Sequence, residues 1–511
     1  MKKFLLTYYP GVLLFIAALF VGLYVYQDYG MSWDEPEQRW PGIMNYEYMT
    51  SGKQDLFTEG SDGHGAGFEI VLVFLERKMH LTHTRDIYLM RHFATHLLFL
   101  VSVFFGYVLV YRLFRSKLLA CLGFLMLLCA PRIYAHSFFN SKDIPFLSMV
   151  IITLAVYQFA FDKNKPALYF LLGLLCGYMT SIRIMGVMLC LLVLLSLIAD
   201  MTSGLLREEK VWPRLLHLLL FVTGCSSMLF AAWPYLWRDP LMHFTGSFSM
   251  FSHFDWGGTV LFKGKMEQGV LPWTYFPTWF FISNPVLWLV AGFGGLVWIL
   301  IAIGRRPRAF LSNTEERNFL IYVLCFCGPI LAVFFLHSII YDDWRHLYFV
   351  YPPFVFLALY FISKLIHGRY KLVVLGACMV QLGFAVSFMV VNHPFQQVYF
   401  NELVSHDKEY LRKNYDLEYW GCGFYQGLNH LLATTKGIIK ITADDAGAVP
   451  LRNNIRMLRE QDKGRVEMTN EANADYFITN YRLHPNDFAY PKVEHSITAL
   501  NSTIICVYKM R

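Results

Sequence analysis

The chain has 511 residues, of which 56% are hydrophobic and 16% are charged, and its mean hydropathy is +0.40. A soluble domain carries about 25% charged residues, so this composition excludes an ordinary soluble protein and indicates a membrane protein with several spans. The formal net charge of +7 does not indicate a nucleic-acid partner, because the basic residues lie in short clusters between apolar segments, where membrane orientation explains them.

The first segment, two lysines followed by an apolar run, is similar to a signal peptide. The run is too long for one and no small-residue cleavage site follows it, so we predict an uncleaved anchor with a cytoplasmic N-terminus. Apolar runs predict about eleven spans of roughly 17–25 residues. They lie at 5–27, 92–111, 118–135, 144–161, 167–182, 184–203, 215–235, 280–303, 318–340, 347–366 and 371–391.

Lys and Arg residues cluster in alternate connections between these runs, on the same side as Lys2 and Lys3. The positive-inside rule makes that side cytoplasmic, and an odd number of spans then places the C-terminus outside. The outward segments are richer in polar and aromatic residues than the inner ones, above all a first outer loop at 27–91 and a third at 237–278. We therefore expect the functional face to lie outside.

The composition changes near Asn392 to that of a soluble domain. We predict a transmembrane domain at 1–391 and a small α/β domain outside the membrane at 392–511. Within the second, the patterns predict strands at 437–443, 474–480 and 502–509 and a helix at 453–461.

Ten cysteines are present, and eight of them lie inside apolar runs, where small core residues are expected. Cys325 and Cys327 do not have a zinc-finger spacing. Cys422 and Cys506 lie in the polar C-terminal part, and the sequence leaves open whether they form a disulfide.

Asp34 and Glu35, in Ser32-Trp33-Asp34-Glu35-Pro36, follow the first apolar run directly. Adjacent carboxylates at the mouth of a membrane helix are costly and usually mark a site that binds a ligand or takes up a proton. A carboxylate in such a place can act as a general base. The alternative is that Asp34 caps a helix that begins at Pro36.

Four cationic residues lie at the predicted outer boundary, against the usual bias: Arg132, Lys142, Arg183 and Arg345. A phosphate or an anionic lipid headgroup at this level would explain them, because guanidinium and ammonium groups stabilise phosphate oxygens. The alternatives are snorkelling and ion pairing with Asp143, Asp342 or Asp343.

The outer loops also carry possible metal ligands, namely His64, His243, His253 and Asp255, but their spacings match no helix-based metal motif. No cofactor is indicated, and a divalent metal stays an open alternative. The aromatic residues around Trp256 suit a cleft in which a sugar stacks, and they equally suit an interfacial aromatic belt. No P-loop, dinucleotide-binding glycine pattern or nucleophile elbow occurs, which argues against nucleotide-driven chemistry.

Several blocks in order make the chain similar to a known superfamily: SWDEPEQ (32–38), APRIYAHSFFNSKDIPF (130–146), YDDWRHLYFVYP (341–352), HPFQQVYFNEL (393–403) and LEYWG (417–421). With the long first outer loop, these blocks resemble the GT-C superfamily of membrane glycosyltransferases. The likeness is greatest to bacterial relatives of the protein O-mannosyltransferases and of the lipid A aminoarabinose transferase, and it covers most of the chain.

The resemblance implies a GT-C-like helical membrane domain that transfers a sugar from a polyprenyl-phosphate donor with inversion at the anomeric carbon. It implies that Asp34 is the catalytic base, with Glu35 supporting it or binding the acceptor. It also implies that the leaving phosphate is bound by the four cations, with Tyr341 and His346 nearby. The expected acceptor or sugar cleft comprises His64, Asp143, His253 and Trp256.

By the same analogy with bacterial members, the protein is expected in the inner (cytoplasmic) membrane, with its working face in the periplasm. The third outer loop is too short for the carbohydrate-binding repeats of the eukaryotic mannosyltransferases, and the C-terminal domain replaces the additional spans of the aminoarabinose transferases. The sugar and the acceptor, whether glycan, lipid or protein, therefore stay open.

Two other functions are compatible with the pattern. A flippase or transporter of lipid-linked sugars could use the same cations and aromatic residues, although the chain shows no internal repeat of the kind that transporters often have. A sensor is less well supported, because we predict no cytoplasmic domain that could receive a signal.

Overall fold

The computed structural model describes residues 2–58, 63–252 and 256–511. Its N-terminal part contains α1 (Lys2–Val25), α2 (Glu35–Ser51), a 3-10 turn (Gln54–Phe57), α3 (Gly67–Lys78) and α4 (Thr84–Phe114). Helix α2 begins where Pro36 and the acidic residues of the first turn favour a helix start, and it ends at Gly52 with a left-handed φ of 70°. Helices α2 and α3 pack on each other, and α3 is the amphipathic stretch of the first loop.

The next six helices are α5 (Lys117–Leu128), α6 (Pro131–Phe139), α7 (Asp143–Lys163), α8 (Pro166–Ile182), α9 (Gly186–Leu206) and α10 (Trp212–Ala232). Helices α5 and α6 meet at an angle of 61°. The bend falls just before Pro131, which can begin a helix but has no N–H with which to continue the preceding one. This bend turns the outer half of one predicted span into a separate short helix that carries Arg132.

The following segment contains a 3-10 turn (Pro234–Trp237), α11 (Pro240–Ser252), the hairpin strands β1 (Thr259–Phe262) and β2 (Lys265–Gln268), and α12 (Tyr275–Ile282). It continues with α13 (Val286–Arg305), α14 (Pro307–Ser312), α15 (Thr314–Phe335), a 3-10 turn (Arg345–Val350), α16 (Tyr351–Leu365) and α17 (Lys371–Val391). Helices α7 and α16 are the most deeply buried of the long apolar helices and form the centre of the bundle.

The predicted polytopic helical architecture is confirmed, whereas the count of eleven spans is not. Within the described residues, nine helices are long and apolar enough to cross a membrane, or ten if the bent pair α5 and α6 is one span. Helix α8, predicted as a span, is an apolar helix of 17 residues.

The C-terminal part contains a five-stranded sheet in the order β4-β3-β5-β7-β6. Strand β3 (Ile439–Ala443) is parallel to β4 (Val466–Met468) and β5 (Tyr476–Thr479), while β7 (Ser502–Lys509) is antiparallel to β5 and to β6 (Lys492–Ala499). The helices are α18 (Tyr410–Asn414), α19 (Phe424–Thr434), α20 (Asp445–Arg456) and α21 (Glu460–Lys463), with 3-10 turns at Gln396–Val398 and Glu471–Asn473.

The small α/β region is thus confirmed, with corrections to its elements. The last predicted strand matches β7, but the helix predicted at 453–461 was placed too late, because it begins at Asp445, where the Asp444 side chain accepts a hydrogen bond from the Gly447 N–H. Strands β4 and β6 were missed. Cys422 and Cys506 are both buried and unpaired. The domain boundary near Asn392 stays a prediction.

Candidate functional site

The loop that carries Asp34 is held by the C-terminal part of the chain. The Asn454 side chain accepts a hydrogen bond from the Met31 N–H at 2.9 Å and donates one to the Met31 carbonyl at 3.1 Å. The Asn453 amide donates to the Ser32 carbonyl at 3.2 Å, and the Trp33 N–H donates to the Trp420 carbonyl at 2.8 Å. Asp34 therefore sits at the junction of the helical bundle and the C-terminal part.

The Asp34 carboxylate does not cap α2. Asp34 occupies the N-cap position, but its backbone is helical (φ −83°, ψ −16°) and its side chain makes no capping hydrogen bond. Its Oδ2 instead accepts a hydrogen bond from Arg345 Nη1 at 3.1 Å, and 30% of the side chain is exposed. The capping alternative is thus wrong for the side chain, which points to a cation and stays open to a ligand.

Glu35 points away from Asp34 into the protein. Its Oε2 accepts a hydrogen bond from the Ser32 N–H at 2.7 Å, and its Oε1 lies 2.9 Å from His92 Nε2. Because Glu35 is buried and bonds the backbone of its own loop, its contacts fix the entry into α2. The structure does not bring Glu35 to the cations around Asp34.

Arg345 is the centre of the charged group. Besides Asp34, its guanidinium faces Asp143 Oδ2 at 3.8 Å and Asp342 Oδ2 at 3.5 Å. It also lies over the Trp420 ring, 4.8 Å from the centroid, and over the Tyr341 ring at 5.2 Å. Arg345 is 4% exposed, so these charges interact with little screening by water.

Arg183 and Asp143 form an ion pair beside Arg345. Asp143 is oriented by Asn140, whose Nδ2 donates to Asp143 Oδ2 at 2.8 Å and whose Oδ1 accepts from the Asp143 N–H at 2.9 Å. Asp143 was predicted in the sugar cleft, and the structure places it between two arginines. In this position it offsets their charge and holds them in place.

The segment that carries Lys142 is fixed from the other side by a buried network. The Ser141 hydroxyl lies within hydrogen-bond distance of Gln38 Oε1, at 2.9 Å, and of the Glu69 carboxylate, which pairs with Arg91. Burial raises the pKa of Glu69, although Arg91 opposes the shift. Lys142 is therefore presented by a rigid turn between α6 and α7.

Lys142 differs from the arginines, because the described residues give its ammonium group no hydrogen bond or ion pair within contact distance. Burial and the neighbouring Arg183 lower its pKa to about 7, and Arg345 adds to this, while Asp143 and Asp34 oppose it. A cation held among other cations gains most when an anion binds. Lys142 is the group best placed to receive one.

Arg132 belongs to a separate and deeper cluster. Its Nη1 lies 3.2 Å from Asp343 Oδ2, which also accepts hydrogen bonds from the hydroxyls of Tyr348 at 2.8 Å and Tyr419 at 2.9 Å. Its Nε donates to the Tyr399 carbonyl at 3.0 Å. The Nε and Nη1 atoms of Arg132 thus bond to the protein, whereas its buried Nη2 has no hydrogen-bond partner among the described residues, so phosphate binding by Arg132 stays a prediction.

Tyr341, His346 and Trp256 form an aromatic wall beside Arg345. The Trp256 and Tyr341 rings are parallel, with centroids 4.4 Å apart, and the His346 ring meets Tyr341 edge-on at 4.7 Å. Burial lowers the pKa of His64 to about 2, and the nearby positive charges of Lys142 and Arg183 add to this shift. Its imidazole is therefore neutral at physiological pH.

Two of the predicted metal ligands, His253 and Asp255, lie outside the described residues. His243 lies elsewhere, stacked on Tyr235 with centroids 4.2 Å apart. Among the residues that the structure does describe, no group of three or more His, Cys, Asp or Glu side chains is placed to hold a metal ion.

A small apolar cavity is lined in part by residues that closely follow members of this charged group in the chain. Its wall includes Phe146, Met185 and Phe349, which follow Asp143, Arg183 and Arg345 by two to four residues. The rest of the wall comes from Val150, Met188, Leu189, Leu192, Leu324, Cys325 and Pro329. Charged and apolar residues thus lie close together in the chain, a pattern that suits an amphipathic ligand with an anionic head.

Sequence reasoning missed Arg482, whose Nη2 lies 2.9 Å from Asp342 Oδ1. A signal was present, because Arg482 follows a predicted strand, and residues after parallel strands commonly line sites. Tyr419 and Trp420 lie in a block that the resemblance identified, but no pattern showed that they contact the cations.

Residues 87–229 match the family model described as dolichyl-phosphate-mannose-protein mannosyltransferase. The matched segment is less than a third of the chain, and it contains Arg132, Lys142, Asp143 and Arg183. The match confirms the resemblance to the GT-C membrane glycosyltransferases. The fold and this match define the class: a multi-pass membrane protein similar to glycosyltransferases of that superfamily.

Among solved structures, the chain is similar to three structures of the oligosaccharyltransferase of Archaeoglobus fulgidus. One has a tethered acceptor peptide, one is the apo form, and one, named AglB, is in complex with an inhibitory peptide and a dolichol-phosphate. The identity is 10% in each case, and the TM-scores are 0.42, 0.42 and 0.43. These matches cover 82% of this chain and 61% or 62% of the other, so the chain spans less than two thirds of that enzyme's length. Similarity at this level does not identify an activity. No curated protein matches the chain.

Proposed function

We propose that the chain is an integral membrane glycosyltransferase that transfers a sugar from a polyprenyl-phosphate donor to an acceptor hydroxyl. The observation that carries the proposal is the position of Asp34: a partly exposed carboxylate that makes no cap lies 3.1 Å from Arg345, next to Lys142, an ammonium group without a contacting ion-pair partner among the described residues. A base and an anion-binding group thus lie side by side. The family-model match across 87–229 supports the assignment.

In the proposed reaction, the oxygen of the acceptor hydroxyl bonds to the anomeric carbon of the sugar, and Asp34 takes the proton of that hydroxyl. The bond from that carbon to the phosphate oxygen breaks, the configuration inverts, and polyprenyl phosphate leaves with the bonding electron pair. Negative charge grows on the phosphate in the transition state, and fixed cations that await it lower the barrier without reorganising. Lys142, Arg183 and Arg345 supply the positive charge that faces the phosphate. Arg132 forms an ion pair with Asp343 in the deeper cluster.

A polyprenyl chain requires an apolar surface next to its phosphate, and apolar residues such as Phe349 follow the cations closely along the chain. Trp256 and Tyr341 are placed where a sugar ring could stack, and His64 and His346 are polar groups at the same site. Glu35 holds the loop that carries Asp34 in place by accepting the hydrogen bond of the Ser32 N–H. We further propose that this face lies outside the cytoplasm, on the distribution of Lys and Arg in the sequence. The resemblance to bacterial members extends this proposal to the periplasmic face of the inner membrane.

The test is release of free polyprenyl phosphate by the purified, reconstituted protein, followed by mass spectrometry with a panel of polyprenyl-phosphate sugars. A membrane extract supplies the acceptor. Asp34→Asn should lower the release rate by about 10²- to 10⁴-fold, since a general base contributes about that factor. Glu37→Gln is the matched control, because this exposed carboxylate lies in the same turn.

Release of polyprenyl phosphate that depends on Asp34 but not on Glu37 supports the transferase, and the donor that is consumed identifies the sugar. A flippase is the alternative. No release with any donor, together with movement of labelled lipid across the bilayer in wild type, overturns the transferase and leaves the flippase.

A further inference from the structure

Arg482 reaches from the C-terminal part into the charged group around Asp34. Its Nη2 lies 2.9 Å from Asp342 Oδ1, and its Nη1 donates to the Tyr419 carbonyl at 2.8 Å. The guanidinium also lies over the Trp33 ring, 5.7 Å from the centroid. Arg482 thus bridges three segments that are far apart in sequence.

Asp342 relays this contact to Arg345. While one Asp342 oxygen faces Arg482, the other lies 3.5 Å from Arg345 Nη2, and Arg345 Nη1 in turn contacts Asp34. Asp342 is 7% exposed and the Arg482 side chain 15%, so these charges are poorly screened. The position of Arg345 between Asp342 and Asp34 therefore depends on how much of the Asp342 charge Arg482 offsets.

The backbone on both sides of this contact is held in an unfavourable conformation. Tyr481 and Leu483, which flank Arg482, have φ values of 59° and 62°, and Asp342 and Asp343 have 52° and 62°. Non-glycine residues are strained in the left-handed region and persist there where surrounding contacts impose that conformation. One such contact is the hydrogen bond of 2.7 Å between the hydroxyls of Tyr481 and Tyr508.

We propose that Arg482 is a positioning residue: it holds Asp342, and through Asp342 it sets Arg345 beside Asp34, so that the C-terminal part completes the transferase site. This inference rests on the proposed function. Among the described contacts, neither Lys142 nor Arg183 touches Arg482, so of the three cations proposed to bind the phosphate it is Arg345 that depends on it. The role of the C-terminal part is then to align the base and the central arginine.

The first experiment measures kinetics of polyprenyl phosphate release. Arg482→Gln should lower kcat about ten- to hundredfold, the loss expected when a reacting group is misplaced by about 1 Å. The donor KM should change by less than about threefold, because an interaction that acts on the transition state changes kcat. Arg482→Lys keeps the charge but not the two-pronged geometry, and should recover part of kcat.

Arg465→Gln is the matched control. Arg465 also belongs to the C-terminal part, but among the described residues its hydrogen bonds go to the carbonyls of Leu432, Thr435 and Gly437 in that part. It should keep kcat even if it lowers the unfolding temperature. An equal loss of kcat in both arginine variants, or none in Arg482→Gln, overturns the positioning role.

The second measurement is independent of activity. Hydrogen–deuterium exchange of the 336–344 segment, read by mass spectrometry, should become faster in Arg482→Gln and stay unchanged in Arg465→Gln, because Arg482 contacts Asp342 and the described contacts of Arg465 lie elsewhere. Unchanged exchange in Arg482→Gln refutes this inference whether or not the protein is active. Failure of wild type to release polyprenyl phosphate, with the exchange result as expected, refutes the proposed function alone.

Discussion

The pH dependence of donor binding tests the assignment of Lys142. Its pKa of about 7 in the ligand-free protein comes from burial and from Arg183. A polyprenyl-phosphate sugar carries one negative charge at its phosphodiester, and an opposite charge within about 4–6 Å raises the pKa of an ammonium group. Donor binding and protonation of Lys142 therefore favour each other.

The sign and size follow from linkage. The pKa is higher in the complex than in the free protein, so this contribution to affinity is fully present below about pH 7 and is lost as the pH rises above it. With a free-state pKa of about 7, about nine tenths of Lys142 is protonated at pH 6 and about one hundredth at pH 9. The Kd should therefore rise by up to about ninetyfold between them, the limit reached when the donor binds the protonated form alone. Well above pH 7, the Kd should rise about tenfold per pH unit at most.

The assay is equilibrium binding of a radiolabelled polyprenyl-phosphate sugar to the purified protein at pH 6, 7, 8 and 9, with the unfolding temperature recorded at each pH. Lys142→Arg is the decisive control, because arginine stays charged throughout this range, and its Kd should be nearly flat. Lys142→Met should bind at pH 6 about as weakly as wild type does at pH 9. A wild-type Kd that does not change from pH 6 to 9, or the same slope in Lys142→Arg, refutes the reasoning.

Two further predictions separate structural carboxylates from the proposed base. Glu35→Gln loses a hydrogen bond to the Ser32 N–H or to His92, so it should lower the free energy of unfolding by about 1–3 kcal/mol. It should reduce the release of polyprenyl phosphate far less than Asp34→Asn does. Loss of activity at an unchanged unfolding temperature would contradict this prediction. Burial raises the pKa of Glu418 from 4.5 to about 8, so the stability that its protonated form contributes is fully present below about pH 4.5 and is lost as the pH rises toward 8. The unfolding temperature of Glu418→Gln should therefore increase relative to wild type from pH 5 to pH 8, and parallel pH profiles of the two proteins would contradict the assignment.

The C-terminal part shows how local patterns both succeed and fail. Strand β7 could be predicted because it is a short run rich in β-branched and aromatic residues, which favour strands, and most of it is apolar. Strand β6 carries Lys492, Glu494 and His495 on an exposed edge and offers no continuous apolar pattern, so it was missed. Its pairing with β7 depends on tertiary contacts that no local window contains.

The sequence by itself determined the apolar helices, the position of Asp34 and Glu35 after the first of them, and the set of cations at one predicted boundary. These features are local, because spans are contiguous apolar runs and a charge beside a membrane segment is costly wherever the chain later folds. The sequence could not decide which charges are paired, because pairing is set by distances between segments hundreds of residues apart.

The tertiary structure alone decided that Arg132 pairs with Asp343 and that Lys142 is left without a contacting ion-pair partner among the described residues. It also decided that Glu35 turns toward His92 and that Arg482 reaches Asp342. The physical reason is that an ion pair in a poorly hydrated interior depends on ångström-scale geometry and on burial, and both exist only once the helices and the C-terminal sheet have packed together.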